Sequence, residues 1–273
     1  YLVQNPPVDG AIYWALSVIP LARRLIERDR IDAILTTSAP WSSLIVGAVL
    51  QRLTGIPWLA DFRDPWTEDS AVYQGAGWRR HVDRRLERHL PARARAITTT
   101  TGSLAQGIRG WLGSDTSGRE VHVVTNGWDP EDFRAEATPQ HAIPDNPRPI
   151  CVVHMGSVYD GALTPLLRAL SDLQADGHDL SGLSLQFTGY MSPATQAEVV
   201  GSSIGSLCTI QTERVSHAKA LEMMRSAHLL LIALRSDQTQ LVPGKTYEYM
   251  AIKRPVLALV PAAAREVIAA TGI

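Results

Sequence analysis

Lys245 and Glu248 are the two residues whose types and spacing best suit chemistry. They lie in Val242-Pro243-Gly244-Lys245-Thr246-Tyr247-Glu248-Tyr249-Met250-Ala251, ahead of Arg254-Pro255-Val256-Leu257-Ala258. Pro243-Gly244 signals a turn. Lys245 to Ala251 then suits a helix whose first N–H groups lack internal partners and face an anion. Lys245 adds a point charge for a phosphate. Glu248, about one turn further on, can accept hydrogen bonds from sugar hydroxyls. A helix start, a cation and a carboxylate one turn apart fit a nucleoside diphosphate with its ribose.

Other chemistry-bearing residues cluster at the ends of apolar runs. Pro57–Phe62 leads into Asp61-Phe62-Arg63-Asp64-Pro65-Trp66. Three charges at a strand's mouth fit a site, and they equally fit an Asp61–Arg63–Asp64 salt-bridge cluster that ties down the next loop. Thr37-Ser38 and Thr98-Thr99-Thr100-Thr101 end two further strands and offer hydroxyls, with Ser42 and Ser103 as helix caps. Asn126-Gly127 is a turn that tolerates positive φ, and it opens Asn126-Gly127-Trp128-Asp129-Pro130-Glu131-Asp132-Phe133. Gly156, in His154-Met155-Gly156-Ser157-Val158-Tyr159, permits close backbone approach to a ligand. Phe187-Thr188-Gly189-Tyr190 repeats that strand–Gly ending one unit later. Tyr190 suits burial against the neighbouring helix, or stacking on a base. In Glu213-Arg214-Val215-Ser216-His217, Ser216 suits a helix cap and His217 a surface position in the first turn. The backbone at Val215 can meet a base edge.

The elements that position these residues alternate. Strands are expected at Ile31–Thr37, Pro57–Phe62, Ala94–Thr100 and Val121–Thr125, with helices at Trp41–Leu53, Gly77–Leu90 and Ser103–Leu112. Residues 135–148 carry Pro139, Pro144 and Pro147 and read as a linker. Alternation then resumes with strands Pro149–His154, Leu183–Thr188, Leu207–Gln211, His228–Ala233 and Val256–Val260. Helices are expected at Leu163–Ala175, Pro193–Val200, Ser216–Ser226, Lys245–Ala251 and Ala263–Ala270. The pattern gives an α/β chain of two doubly wound domains, 1–134 and 149–273, facing each other across a cleft. The first is expected to be incomplete at its start and the second at its end.

Composition sets limits on partners. The chain has 273 residues, 45% of them hydrophobic, and a net charge of −1. That is enough for two cores and too neutral for global attraction to nucleic acid. The stretch 78–89 is locally cationic. A solvated helix face with Arg/Glu pairs is the simpler reading, and peripheral contact with lipid phosphates or an anionic acceptor is the alternative. Cys151 and Cys208 lie in apolar runs and read as buried free thiols, consistent with the cytoplasm. No Cys/His spacing suggests a metal, and no apolar run is long enough to span a bilayer.

Taken in order, Asp-Phe-Arg-Asp-Pro-Trp, Thr-Asn-Gly-Trp-Asp-Pro-Glu-Asp-Phe, strand–Gly-Ser, Phe-Thr-Gly, Arg-Val-Ser-His and Pro-Gly-Lys-Thr-Tyr-Glu-Tyr-Met-Ala-x-x-Arg-Pro-Val resemble the GT-B-fold glycosyltransferases of family 4, or group 1. The resemblance runs from about Asp9 onward. It implies a retaining, metal-independent transferase whose donor substrate is a nucleoside-diphosphate sugar, with no further cofactor. The acceptor would be a carbohydrate, a lipid-linked sugar or a small molecule. Glu248 matches the ribose-binding glutamate, Lys245 faces the donor diphosphate, Gly156 matches the glycine beside the phosphates and Val215 lies near the base. Ser157, Gly189, Gln240 and Tyr247 complete the implied donor site. Arg63 stands where many members place a histidine near the transferred sugar, with Asp61 beside it, so Arg63, Asp61 and Lys245 are the catalytic candidates.

Three departures accompany the resemblance. Gln240 stands eight residues before Glu248, where members often carry a second glutamate. The usual Arg and Lys after Gly156 are absent, and so is the glycine-rich loop after the family's first strand. A sugar-nucleotide epimerase or phosphorylase of the same fold, and a non-catalytic nucleotide-sugar-binding subunit, remain alternatives.

Overall fold

Short β-branched runs alternating with amphipathic stretches produce two separate parallel sheets. A computed structural model describes residues 8–68, 73, 77–112, 120–134, 149–262, 264, 266 and 269. The chain divides into two units, Tyr1–Thr125 and Asn126–Ile273.

In the first unit the order is α1 (Ile12–Asp29), β1 (Ile34–Ser38), α2 (Ser42–Thr54), β2 (Trp58–Phe62), α3 (Trp78–His89), β3 (Ala96–Thr99), α4 (Gly102–Leu112) and β4 (Glu120–Val123). The sheet runs β1-β2-β3-β4, in chain order. Sequential parallel strands with right-handed crossovers put their connecting helices on one side. Ile34, Trp58, Ala60, Phe62, Ile97 and Val121 are buried on that side. On the other face Leu35, Thr37, Leu59, Asp61, Ala96 and Thr98 are exposed or half-buried. Helix α2 packs unusually close, because a Cβ on Gly47 would lie 2.2 Å from Trp58 Nε1. That indole N–H donates to Thr36 Oγ1 at 2.9 Å.

The sequence assigns no element before Ile31, yet α1 forms there. It packs along α2, with Ala15 and Ile26 buried and Ile19 and Ala22 against the same core. The helix α2 is not capped by Ser42. Its N-cap residue is Trp41, and the Ser42 backbone N–H donates to the Asp9 carboxylate at 2.9 Å. Likewise Thr101, and not Ser103, accepts from the Leu104 N–H at the start of α4, at 3.1 Å.

The second unit contains α5 (Pro130–Arg134), β5 (Ile150–Met155), α6 (Thr164–Ala175), β6 (Leu183–Thr188), α7 (Pro193–Gly201), β7 (Cys208–Gln211), α8 (His217–Ser226), β8 (Leu229–Ala233), α9 (Lys245–Ile252) and β9 (Val256–Leu259). Its parallel strands lie in the order β7-β6-β5-β8-β9. The winding therefore reverses between β5 and β8, and helices cover both faces. Alternate strand residues feed opposite cores: Val152, Leu185 and Leu231 pack toward α6 and α7, whereas Val153, Leu230 and Ile232 pack toward α8 and α9.

Residues 126–134 fall in this unit, although the sequence places them with the first domain. Phe133 packs on the core that includes Leu221 and Met224 of α8, which draws α5 to this side of the boundary. Asp129 caps α5 by accepting from the Glu131 N–H at 2.8 Å. Gly127 does not adopt the left-handed φ expected of an Asn-Gly turn. The expected linker 135–148 and most of the expected helix Ala263–Ala270 lie outside the described residues.

Candidate functional site

The reversal between β5 and β8 is where a doubly wound sheet opens a crevice at its carboxyl edge. Gly156 follows β5, and the loop after β8 leads into α9, so Gly156, Gly189 and Lys245 meet at that point. Tyr249 sets their register. Its hydroxyl accepts from the Met155 N–H at 3.0 Å and approaches the Leu231 carbonyl at 3.4 Å, pinning α9 to β5 and β8. Thr246 and Tyr249 are buried, which fixes the face of α9 that carries Lys245.

Lys245 points under the glycine loop. Its Nζ lies 2.7 Å from His154 Nε2, and a Cβ on Gly156 would sit 3.7 Å from Nζ. The residue is half-buried, but its ammonium end is withdrawn from water, and burial lowers its pKa from 10.5 to about 7. His154 is fully buried, and desolvation followed by the nearby Lys245 charge holds its pKa well below the ordinary 6.5. An ammonium can only donate, so the neutral imidazole accepts at Nε2 and carries its proton at Nδ1. Nδ1 is buried with no hydrogen-bond partner among the described residues. A cation whose neighbour is neutral suits an anionic ligand. No feature of the sequence except the position of His154 near the end of a strand marks it as the partner of Lys245.

The two strand–Gly endings touch. Gly156 (φ 96°) donates its N–H to the Thr188 carbonyl at 2.7 Å. A Cβ on Gly189 (φ 130°) would lie 2.5 Å from the Gly156 carbonyl oxygen. Glycine at 189 is therefore required by packing against Gly156. Gly156 and Ser157 are exposed, and Val215 and Tyr247 are half-buried against the α8–α9 core. Gln240 is half-buried in the loop that Arg235 and Asp237 brace with a two-point ion pair. Tyr190 is not buried; it is 61% exposed.

Glu248 lies on α9 one turn after Lys245, with its Oε1 3.1 Å from His217 Nε2. His217 Nδ1 is 3.8 Å from Asp132 Oδ2. His217 holds the exposed first-turn position expected of it and also meets both acids. Ser216 caps α8 as expected, accepting from the Lys219 N–H at 3.3 Å.

In the first unit, Asp61 belongs to β2 with Thr37 and Thr98 in register on either side. Its carboxylate accepts from the Thr37 hydroxyl at 2.8 Å and from the Thr98 hydroxyl at 2.7 Å. Asp61 is therefore held by two threonines across three strands. Arg63 is exposed just beyond, and its carbonyl accepts from Thr100 Oγ1 at 2.8 Å.

Helix α3 keeps one i,i+4 pair of the expected kind, Arg79 Nε 3.4 Å from Asp83 Oδ2, but both of its acids turn inward and do not form a solvated face of Arg/Glu pairs. Asp83 is buried, accepting from the Val8 N–H at 3.0 Å and the Tyr73 hydroxyl at 2.7 Å. Glu87 is buried and accepts from the N–H groups of Trp66 and Thr67 at 3.1 and 3.2 Å, and from the Thr67 hydroxyl. Burial raises its pKa, and those bonds oppose the rise. Arg80, His81, Arg84, Arg85, Arg88 and His89 remain exposed, with Trp78 71% exposed at the helix start. Cys151 and Cys208 are free and half-buried, and burial raises both thiols, Cys208 to about 11. No helix among the described residues is long and apolar enough to cross a membrane. No group of three His, Cys, Asp or Glu among them is placed to hold a metal ion.

Two parallel α/β units, the second wound with its crevice at the β5–β8 reversal, define a GT-B fold. Solved structures bear this out. The chain matches sucrose-phosphate synthase from Thermosynechococcus elongatus with a TM-score of 0.65 at 16% identity, covering 98% of this chain and 70% of that one. It matches a UDP-forming α,α-trehalose-phosphate synthase from Burkholderia vietnamiensis with a TM-score of 0.64 at 12% identity, covering 93% and 63%. UDP-GlcNAc 2-epimerase from Neisseria meningitidis, solved with UDP-GlcNAc bound, matches with a TM-score of 0.51 at 14% identity, covering 97% and 69%. The chain thus spans roughly two thirds of the length of each of these structures. Residues 3–127 match the model of the glycosyl transferase 4-like domain. That match falls on the first unit and agrees with the resemblance to GT-B glycosyltransferases of family 4, whose fold the solved structures share. No curated protein matches the chain.

Proposed function

We propose that this chain is a retaining glycosyltransferase that takes a sugar from a nucleoside-diphosphate donor held by its second unit and passes it to a hydroxyl acceptor. The observation that carries the reading is the Lys245 ammonium, buried beside a neutral imidazole and beneath the exposed Gly156 loop at the sheet's reversal point. Such a cation gains most from a diphosphate. Glu248, one turn on, accepts from ribose hydroxyls. As the donor bond breaks, negative charge grows on the leaving phosphate, and Lys245 stabilises it; the Thr246 and Tyr247 N–H groups, expected from sequence to face the anion, are given instead to the Pro243 and Gly244 carbonyls at 2.9 and 3.1 Å. That phosphate accepts the acceptor's proton on the face from which the sugar leaves, which gives retention without a protein nucleophile or a metal. In the first unit, Asp61, whose carboxylate accepts from the Thr37 and Thr98 hydroxyls, and the exposed Arg63 are the candidates for binding the acceptor.

The test is a thermal-shift screen of the chain against UDP-, GDP-, dTDP- and ADP-sugars, since a ligand that binds the folded state alone raises its stability. One donor is expected to stabilise the protein, and Glu248→Ala to lose that shift. No shift with any donor rejects the reading. Release of nucleotide without acceptor, with an epimerised sugar, would assign an epimerase instead. Tight donor binding with no transfer to any acceptor would assign a non-catalytic subunit.

The outward face of α3 supports a second part of the proposal, peripheral contact with an anionic membrane from the cytoplasmic side. With Asp83 and Glu87 turned inward, this face carries cations and Trp78, a residue suited to the lipid interface. Sedimentation with phosphatidylserine-containing vesicles is expected to pull the chain down at low salt. Phosphatidylcholine vesicles are expected not to, nor is the Arg84→Glu/Arg88→Glu variant expected to bind.

A further inference from the structure

Glu248 is the one carboxylate of α9's first turn, and its Oε1 lies 3.1 Å from His217 Nε2. The other nitrogen of that ring faces Asp132 Oδ2 at 3.8 Å. Asp132 comes from α5, His217 from the first position of α8 and Glu248 from α9, so three separate elements converge. Each is independently fixed. Asp129 caps α5. Phe133, next to Asp132, sits edge-on to Trp128 at 5.0 Å and beneath the Arg225 guanidinium of α8 at 5.8 Å. Ser216 caps α8 directly before His217. The Trp-Asp-Pro-Glu-Asp-Phe segment, which the donor-site reading leaves without a role, is thereby braced against the helix that presents the imidazole.

A carboxylate held at one oxygen keeps its second oxygen and fixes the direction in which it points. We propose that His217 is a positioning residue for Glu248, holding Oε1 so that Oε2 faces the ribose 2′- and 3′-hydroxyls, with Asp132 orienting the ring. This rests on the reading of Glu248 as the ribose ligand. The three side chains are partly exposed, at 31% for Glu248, 48% for His217 and 47% for Asp132. The gain comes from geometry, and it is modest.

The experiment measures affinity of the chain for UDP and for 2′,3′-dideoxy-UDP by calorimetry, in the wild type and in Glu248→Ala, His217→Ala, His217→Gln and Asp132→Asn. Thermal unfolding of each variant verifies folding. His217→Ala is expected to weaken UDP binding about two- to fivefold, the range a partly exposed ionic hydrogen bond supports, and to leave dideoxy-UDP binding unchanged. His217→Gln, which keeps an N–H donor, recovers part of the loss, and Asp132→Asn gives a smaller loss of the same selectivity. Equal weakening toward both nucleotides, or none toward either, overturns the inference. If Glu248→Ala itself leaves UDP binding unchanged, the ribose reading fails and the inference with it; if the wild type binds no UDP, the same comparison is made with GDP and ADP and their dideoxy forms, and failure to bind any of the three rejects both. If Glu248→Ala weakens UDP binding and His217→Ala does not, the inference alone fails.

Discussion

The two units share a parallel sheet and differ in how it is wound. In the first, β1 to β4 follow chain order, and the face carrying Leu35, Thr37 and Asp61 is exposed or half-buried. In the second, the order reverses between β5 and β8, and cores lie on both faces. The winding decides what buried charge does in each. The first unit's buried acids, Asp83 and Glu87, are saturated by backbone and hydroxyl donors, with the Arg79 guanidinium also beside Asp83, and fix loops. The second unit's buried cation, Lys245, faces a neutral histidine at the sheet's open edge. Saturated charge holds structure together, whereas charge left beside a neutral neighbour is available to a ligand.

Four substitutions or conditions test that contrast. The largest effect is expected from Gly189→Ala, whose Cβ would meet the Gly156 backbone at 2.5 Å. It should destabilise the second unit by about 3 kcal/mol, the upper end of overpacking costs, and abolish the shift produced by nucleotide. A fully stable, nucleotide-binding variant would show that the two glycine endings are not coupled.

Glu87→Ala leaves the Trp66 and Thr67 N–H groups buried without an acceptor. It should cost the first unit about 2 kcal/mol in denaturant unfolding while UDP affinity stays at the wild-type value. Loss of affinity would erase the division between structural and ligand-facing charge.

The third test is pH. Lys245 titrates near 7 in the free protein, and a bound diphosphate raises that value by favouring the ammonium. Above pH 7, binding then requires proton uptake, so UDP affinity should fall by up to about tenfold per pH unit between 7 and 9. Lys245→Arg, charged throughout, should flatten that profile. Stability changes in the opposite sense. The folded group titrates near 7 and the unfolded one near 10.5, so the unfolded state holds the extra proton between them and stability rises with pH across that window.

The smallest effect belongs to the outer face of α3. Arg84→Glu with Arg88→Glu should change stability by no more than about 0.5 kcal/mol. A larger loss in thermal unfolding would mean that these arginines are structural after all.

Much of this was legible in the chain itself. Period-2 and helical patterns give every strand within a few residues, and Lys245, Glu248, Gly156 and Gly189 stand out because turn glycines and a cation–carboxylate pair have local signatures. The helix α1 was hidden because its stability comes from packing along α2 and not from a local start signal. The acids of α3 look like partners for neighbouring arginines, and Asp83 does pair with Arg79, but sequence could not show that the loop from Trp66 to Thr67 claims Glu87 or that the Val8 N–H and the Tyr73 hydroxyl also bind Asp83. His154 and His217 were invisible as partners because the residues they meet are distant in sequence, 91 and 31 positions away.

The sequence by itself determined two α/β units, the location of the helix that begins at Lys245 and the glycines that let strand ends approach one another, since backbone preference and hydrophobic period act within a few residues. Tertiary structure alone decided the reversal between β5 and β8, the neutral partner of Lys245 and the residue that holds Glu248. Burial and strand order bring together groups far apart in the chain, and the charge state of a side chain depends on which of them it meets.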